Sequence, residues 1–215
     1  MSRIEKAVLF LVAVSFGIAI YLYPRMPEMM ASHWNAAGEV DGYMPKAAAL
    51  FLMPAMSLVF FFLFLLIPNI DPLKANVEKF RRYFDIFIIL FEMFLLYVYS
   101  LTVAWSLGQR FDMTAATAPA LAILFYYTGI LIGKAERNFF IGIRTPWTLS
   151  SDKVWEKTHA LGGKLFKAAA VLAFFAAFVP DHTVYLVFIP ILGASLCLMI
   201  YSYLEFRKEN KKIEG

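Results

Sequence analysis

The chain has 215 residues, of which 61% are hydrophobic and only 17% are charged. Soluble domains are nearer half apolar and a quarter charged, so this composition excludes an ordinary soluble domain and indicates a membrane protein. The net charge of +4 does not indicate nucleic-acid binding, because the basic residues lie between apolar runs and form no single patch. One cysteine, Cys197, excludes a disulfide framework.

Six apolar runs are long enough to cross the roughly 30 Å hydrocarbon core of a bilayer as helices. Helices are expected because an open sheet would leave its edges unsatisfied in lipid. The first run is read as a retained helix, since no small-residue cleavage site follows it. The predicted fold is therefore an all-α integral membrane protein, a bundle of six transmembrane helices. The predicted spans are Ala7–Tyr23, Ala47–Ile67, Asp85–Leu107, Met113–Gly133, Leu165–Val179 and Thr183–Leu204, with kinks expected at Pro54, Pro119 and Pro190.

The positions of Lys and Arg predict which connecting segments face the cytoplasm. The two termini and the segments after spans two and four carry 17 of these residues, whereas the three alternate links carry 3. Cytoplasmic loops are enriched in Lys and Arg. Both termini are therefore predicted to lie in the cytoplasm of a multi-pass protein of the cell membrane.

The link between the first two spans, residues 24–46, is predicted to be a compact extracytoplasmic cap. Turn-forming residues recur at 35–38 and 41–42. The link also carries residue types that bind divalent metals, but their spacing fits no known ligand pattern. We therefore expect a hydrogen-bonded turn with no metal and no other cofactor. The polar residues concerned are His33, Asn35, Glu39 and Asp41 of the cap, with Asp181 and His182 on the same side; Gly42 belongs to the cap as a turn residue.

The third span carries a polar stripe, because Asp85, Glu92, Tyr99 and Ser106 recur at seven-residue steps on one helix face. Glu92 lies close to the membrane midplane, where a carboxylate is costly unless it faces the bundle interior or is protonated. We expect a neutral Glu92 that is hydrogen-bonded to a hydroxyl. The stripe is either interhelical glue or part of a proton or solute path. Candidate hydroxyls at this depth are Ser15, Tyr126 and Tyr127.

The longest inner segment, residues 138–159, is polar enough to leave the membrane and yet carries two Trp and two Phe. Because Trp rings favour the headgroup layer, this composition indicates an element that lies against the inner membrane surface. Turns at Gly142 and Pro146 flank Arg144, whose guanidinium is the best fixed donor of the segment.

An amphipathic cytoplasmic loop helix is predicted at the end of this segment. Ser150 or Ser151 is a suitable N-cap, and Asp152 suits the first helical turn. One face of the following residues is apolar and the other is charged, which is typical of a helix on the inner leaflet. The pair Gly162–Gly163 is expected to end this helix before span five.

At these residues the sequence resembles the SdpI family of membrane immunity and signal-transduction proteins. The cap resembles a small domain of unknown function that often precedes that family's signature. The resemblance implies a protein that protects its producer from an extracellular toxic peptide; the family's best-studied member also holds a cytoplasmic repressor at the membrane. The inner residues that carry the resemblance, and would bind a partner, are Asn138, Gly142, Arg144, Thr145, Pro146, Trp147, Thr148, Trp155 and His159.

Several alternatives stay open from the sequence. The inner loop is either a docking site or a structural scaffold in which Trp147 and Trp155 anchor the interface and Arg144 pairs with phosphate or Glu136. The alternative function is a small transporter or channel that uses the polar stripe. An enzyme is not expected, because no base and nucleophile share one depth. The chain divides on this reading into a four-span part with the cap, residues 1–133, and the signature loop with a two-helix hairpin, residues 134–215.

Overall fold

The computed structural model describes residues 2–214 and is almost entirely helical. Its elements include two short 3₁₀ turns, Tyr23–Arg25 and Pro180–His182. In chain order the other elements are α1 (Arg3–Leu22), β1 (Met29–Trp34), β2 (Val40–Pro45), α2 (Lys46–Ile70), α3 (Lys74–Lys79), α4 (Arg81–Ser106), α5 (Met113–Ile132), α6 (Pro146–Ser150), α7 (Asp152–Ala176) and α8 (Thr183–Glu214).

Six of these helices, α1, α2, α4, α5, α7 and α8, are long and apolar enough to span a membrane, which confirms the predicted fold class. Large apolar side chains stand exposed along them, including Phe10, Phe62, Phe175 and Leu192. A water-soluble bundle would bury such residues, whereas lipid tails solvate them. The chain is thus a multi-pass membrane protein.

The connections gather at the two ends of the bundle. The β-hairpin and the links before α5 and α8 lie at one end, here called the hairpin side, where Ala31, Met113 and Thr183 line one cleft. The links after α2 and α5 and the end of α8 meet at the other end, here called the signature side. Hydrogen bonds from Phe139 to Asp71 and from Ser151 to Glu209 join them there.

The cap contains a two-stranded antiparallel sheet that the sequence reading did not include. Its turn is the expected one, because the Asn35 side chain accepts hydrogen bonds from the amides of Ala37 and Glu39 and Gly38 has a φ of +76°. The second expected turn, at 41–42, is wrong. Those residues belong to β2, and Gly42 is needed because a Cβ there would lie 2.9 Å from the Cβ of His33.

The short amphipathic helix predicted from the sequence is longer in the structure, where it is the first part of α7. Ser151 caps the helix as expected, by accepting from the Val154 amide at 3.2 Å. The helix does not end at Gly162–Gly163, however, but continues to Ala176 as part of the fifth span. The two glycines serve packing against α5, since a Cβ on Gly163 would lie 2.8 Å from the Gly129 carbonyl oxygen. Small residues let two membrane helices approach this closely.

Gly163→Ala is expected to lower the melting temperature of the purified protein. Alanine improves helix propensity by about 1 kcal/mol, but forcing α5 and α7 apart costs roughly 1–3 kcal/mol. Gly193→Ala on α8 is the matched control, because a Cβ there meets nothing within 4 Å. Thermal unfolding in one detergent compares the two. A Gly163→Ala protein as stable as the control would contradict the close approach of the helices.

Candidate functional site

The loop between α5 and α6 is organised by the side chain of Asn138, which is fully buried. Its amide oxygen accepts from the backbone N–H groups of Phe140 at 2.9 Å and Ile141 at 2.6 Å. Its amide nitrogen donates to the carbonyls of Glu136 and Ile141, both at 2.8 Å. Both polar atoms of the carboxamide are thus engaged, and one side chain fixes a segment that has no regular secondary structure.

Two residues that the sequence reading missed bind the same loop, one in the link between α2 and α3 and one in α3 itself. Asp71 is buried, and its carboxylate accepts from the amides of Leu73 at 2.7 Å and Phe139 at 2.9 Å. The Asn76 side chain donates to the carbonyl of Arg137 at 2.9 Å. The signature loop is therefore fastened to the first half of the chain by side-chain to backbone hydrogen bonds. The only feature of the sequence that points to this contact is an Asp-Pro pair, Asp71 and Pro72, directly after an apolar run.

Gly142 lies directly against the ring of His159. Its φ of +115° favours glycine, and a Cβ there would lie 2.4 Å from Nε2 of that ring. Nε2 accepts from the amide of Ile143 at 3.0 Å, so Nδ1 carries the proton and donates to the carbonyl of Trp155 at 2.8 Å. This pattern uses one neutral tautomer of a buried histidine. His159 therefore holds the loop against α7.

Thr145 and Thr148 form a capping box at the start of α6. The hydroxyl of Thr148, which is fully buried, also donates to the carbonyl of Ile143 at 2.8 Å. The hydroxyl of Thr145 reaches Ser202 of α8 at 3.0 Å. The two threonines thus satisfy the free amides at the helix start and attach the loop to the last helix.

The two tryptophans of the loop differ in burial. Trp155 is only 3% exposed, donates through Nε1 to the carbonyl of Ala135 at 2.7 Å and stacks on His159 at 3.8 Å. The scaffold reading expected Trp155 to anchor the membrane interface. Trp155 is instead a core residue. Trp147 is half-buried and packs against Tyr203 at 5.1 Å.

Arg144 and Pro146 are the exposed members of the predicted partner site. The Arg144 guanidinium donates to the carbonyl of Phe139 at 2.8 Å and forms no ion pair with any residue that the structure describes. Of the two partners that the scaffold reading offered, phosphate or Glu136, the second is not used, and that carboxylate lies 3.8 Å from Lys79. The loop therefore presents one guanidinium outward on a rigid base, beside the exposed rings of Phe139 and Phe140.

On the hairpin side, a cleft of about 580 Å³ opens beneath the β-hairpin. One wall comes from α2 and α4 and the other from α5 and α8. Its lining is mostly apolar, with Leu52, Met53 and Val187 among the residues, and it also includes the polar residues His33 and Asn35. Such a cleft matches an amphipathic or apolar ligand better than a small ion.

The remaining cap residues form local pairs at the surface. His33 Nδ1 lies 2.5 Å from Asp41, and the Asn35 amide donates to Glu39 at 3.3 Å. Within residues 2–214, no group of three or more His, Cys, Asp or Glu side chains is arranged to hold a metal ion. The polar side chains of the cap are thus paired with one another within the hairpin.

The polar stripe on α4 faces the bundle interior at two of its positions. Glu92 and Tyr99 are each 1% exposed. Glu92 accepts a hydrogen bond from the hydroxyl of Ser57 on α2. The predicted type of partner is therefore present, although none of the three hydroxyls chosen by depth is the one used. Asp85 pairs instead with Arg81 at 2.7 Å. The hydrogen bond between α2 and α4 fits the interpretation of the stripe as a structural contact between helices. A role of the stripe in a proton or solute path stays a prediction.

Comparison with known proteins agrees with these features. Residues 10–58 match a domain of unknown function, DUF1648, and residues 134–202 match the SdpI/YfhL protein family. The expected resemblance to the SdpI family is confirmed. The SdpI-like segment includes every residue of the predicted partner site.

The likeness extends over nearly the whole chain. The immunity protein SdpI of Bacillus subtilis (strain 168) is 24% identical over 204 residues, which cover 94% of this chain and 95% of the relative. Its name describes an immunity protein and not an enzyme, in keeping with the expectation from the sequence. No solved structure matches this SdpI-like chain.

Asn138→Ala is expected to loosen the signature loop. Two backbone amides and two carbonyls lose their partner, at a cost of about 1–3 kcal/mol for each buried group left unsatisfied. Hydrogen exchange of residues 139–145 should become at least roughly tenfold faster. Asn69→Ala is the control, since that exposed side chain makes one bond within its own helix. Unchanged exchange would show that Asn138 does not hold the loop.

Proposed function

We propose that the protein is a membrane immunity and signalling protein that protects its producer from an extracellular toxic peptide. The observation that carries the proposal is the alignment of nearly the whole chain with an immunity protein. The hairpin-side cleft supports it, because a mostly apolar lining with a few polar residues is suited to an amphipathic peptide. In this proposal the hairpin-side cleft binds the peptide and catalyses no reaction.

The orientation completes the proposal. Seventeen of twenty Lys and Arg residues belong to segments of the signature side, so this side faces the cytoplasm and both termini lie there. The cleft then opens toward the outside, where a toxic peptide arrives. The signature loop faces the cytoplasm, where a transcriptional repressor is held at the membrane. Arg144 and Pro146 are the residues of the loop that contact the repressor. The conformation of the loop is held by the buried residues Asn138, Thr148, Trp155 and His159.

The polar stripe has a structural part in this proposal. Glu92, Tyr99 and Ser57 lie where α4 packs against α2, and the hydrogen bond between the two helices helps to hold one wall of the cleft. The two sequence units, residues 1–133 and 134–215, correspond to the cap with its helices and to the signalling segment.

A survival assay tests the protective role. The chain, expressed in a strain of Bacillus subtilis 168 that lacks its own SdpI, is expected to restore growth in the presence of the sporulation-delaying toxin. Thr117→Trp, which fills the cleft, should abolish protection. Ile123→Trp on the exposed face of the same helix should not. Equal membrane amounts of both variants are verified by immunoblot, and failure of the unaltered chain would contradict the proposal.

Cysteine labelling tests the orientation. In a Cys197→Ser background, Ala37→Cys in the hairpin turn should react with a membrane-impermeant maleimide in intact cells. Glu156→Cys on the exposed face of α7 should react only after the cells are permeabilised. The reverse pattern would place the signature loop outside and exclude a cytoplasmic partner.

A further inference from the structure

A second opening lies on the signature side, between the first turns of α7 and the last turns of α8. It is a groove of about 370 Å³ with Val154 among its lining residues, and it does not include Arg144 or any other residue of the predicted partner site. Its charged lining residues are Lys153, Lys157, Glu205, Lys208, Glu209 and Lys211.

Both carboxylates of the groove are already engaged by neighbouring side chains. Glu205 is only 6% exposed and lies between the ammonium groups of Lys157 at 2.5 Å and Lys208 at 2.6 Å. Glu209 accepts from the hydroxyl of Ser151 at 2.5 Å. The bonds of Lys157 and Ser151 join α7 to α8, so the walls of the groove are held in place without an added ligand.

The cations of the groove outnumber its carboxylates. Four lysines face two glutamates, which leaves an excess of two positive charges. Lys153 and Lys211 are exposed and form no ion pair with the residues that the structure describes. A fixed groove with two unengaged ammonium groups is complementary to carboxylates.

The distance of the groove from the lipid indicates what kind of anion it meets. The apolar part of α7 begins at Leu165, and Lys153 lies twelve residues earlier on the same helix, about 18 Å along its axis. The headgroup layer is only about 5–8 Å thick on each side of the bilayer. On α8, the charged residues after Leu204 extend into the same region. When α7 stands along the membrane normal, this length places Lys153 above the lipid phosphates.

We propose that this groove docks an acidic segment of a soluble partner protein. The inference rests on the proposed signalling role, and it adds the exposed ends of α7 and α8 to the contact surface that Arg144 and Pro146 provide. Ser151 and Thr145 fasten the signature loop to α8, so the loop and the groove are held together.

The test uses the full chain in nanodiscs of zwitterionic lipid and a fluorescent peptide built from Glu-Ala-Ala-Glu repeats. Binding is measured by fluorescence anisotropy at low salt. The double variant K153E/K211E is expected to weaken binding by roughly tenfold or more. The control is K6E/K74E, in which two exposed lysines of the signature side, outside the groove, undergo the same change of charge. It should bind nearly as well as the unaltered chain.

Three results would overturn the proposal: no binding by the unaltered chain, equal losses in both double variants, or loss of peptide binding when phosphatidylglycerol is added to the nanodiscs. The last result would assign the groove to anionic lipid. A Lys-Ala-Ala-Lys peptide that binds K153E/K211E better than the unaltered chain would support the groove. Toxin survival should be unchanged by K153E/K211E, so failure of the groove is distinguishable from failure of the immunity proposal.

Discussion

The structure depends on a constraint that a membrane imposes on any irregular segment beside it: each buried backbone group needs a partner. The loop between α5 and α7 has little regular structure of its own, and side chains supply the missing bonds. Asn138, Asp71, Thr148 and His159 satisfy amides and carbonyls of the loop from within it and from two other parts of the chain. What looks in sequence like a recognition motif is in large part a set of hydrogen-bonding supports.

This constraint explains why the predicted partner site divides into two groups. The residues with the most specific spacing, such as Trp155 and His159, are buried and cannot touch a partner in this conformation. Their role is to fix the conformation of the loop, and in this conformation Arg144 and Pro146 are exposed. A motif that is specific by sequence therefore need not be a contact surface, and a neighbouring surface of ordinary composition can present the charges.

Hydropathy was sufficient to predict the six spans, because a bilayer selects length and composition and leaves little else to decide. Burial within the bundle was harder. Depth along the helices predicted a hydroxyl for Glu92 but named three wrong ones, since the rotation and pairing of helices decide which hydroxyl meets it, and Ser57 on α2 does. The contact between Asp71 and Phe139 joins residues 68 positions apart and has no local signal.

Glycine was misread for a related reason. A Gly pair after an amphipathic stretch is the usual sign of a helix end, and the same residues are the usual sign of two helices in close contact. Only the partner distinguishes them, and here Gly129 of α5 lies across from Gly163. The consequence is one continuous α7 that carries the signature residues directly into the membrane.

The hairpin-side cleft and the groove on the signature side are joined by α8. Near its start this helix lines the hairpin-side cleft through Thr183 and Val187, and near its end it lines the basic groove through Glu205 and Lys208. It is a single helix between these points and is bonded to the signature loop at Ser202. A ligand that widens the cleft has to move α8 or its neighbours, and a tilt of a rigid helix displaces both of its ends. Because α8 is bonded to the loop through Ser202 and Glu209, occupancy of the cleft can alter both the groove and the loop at the other end of the bundle through this one helix.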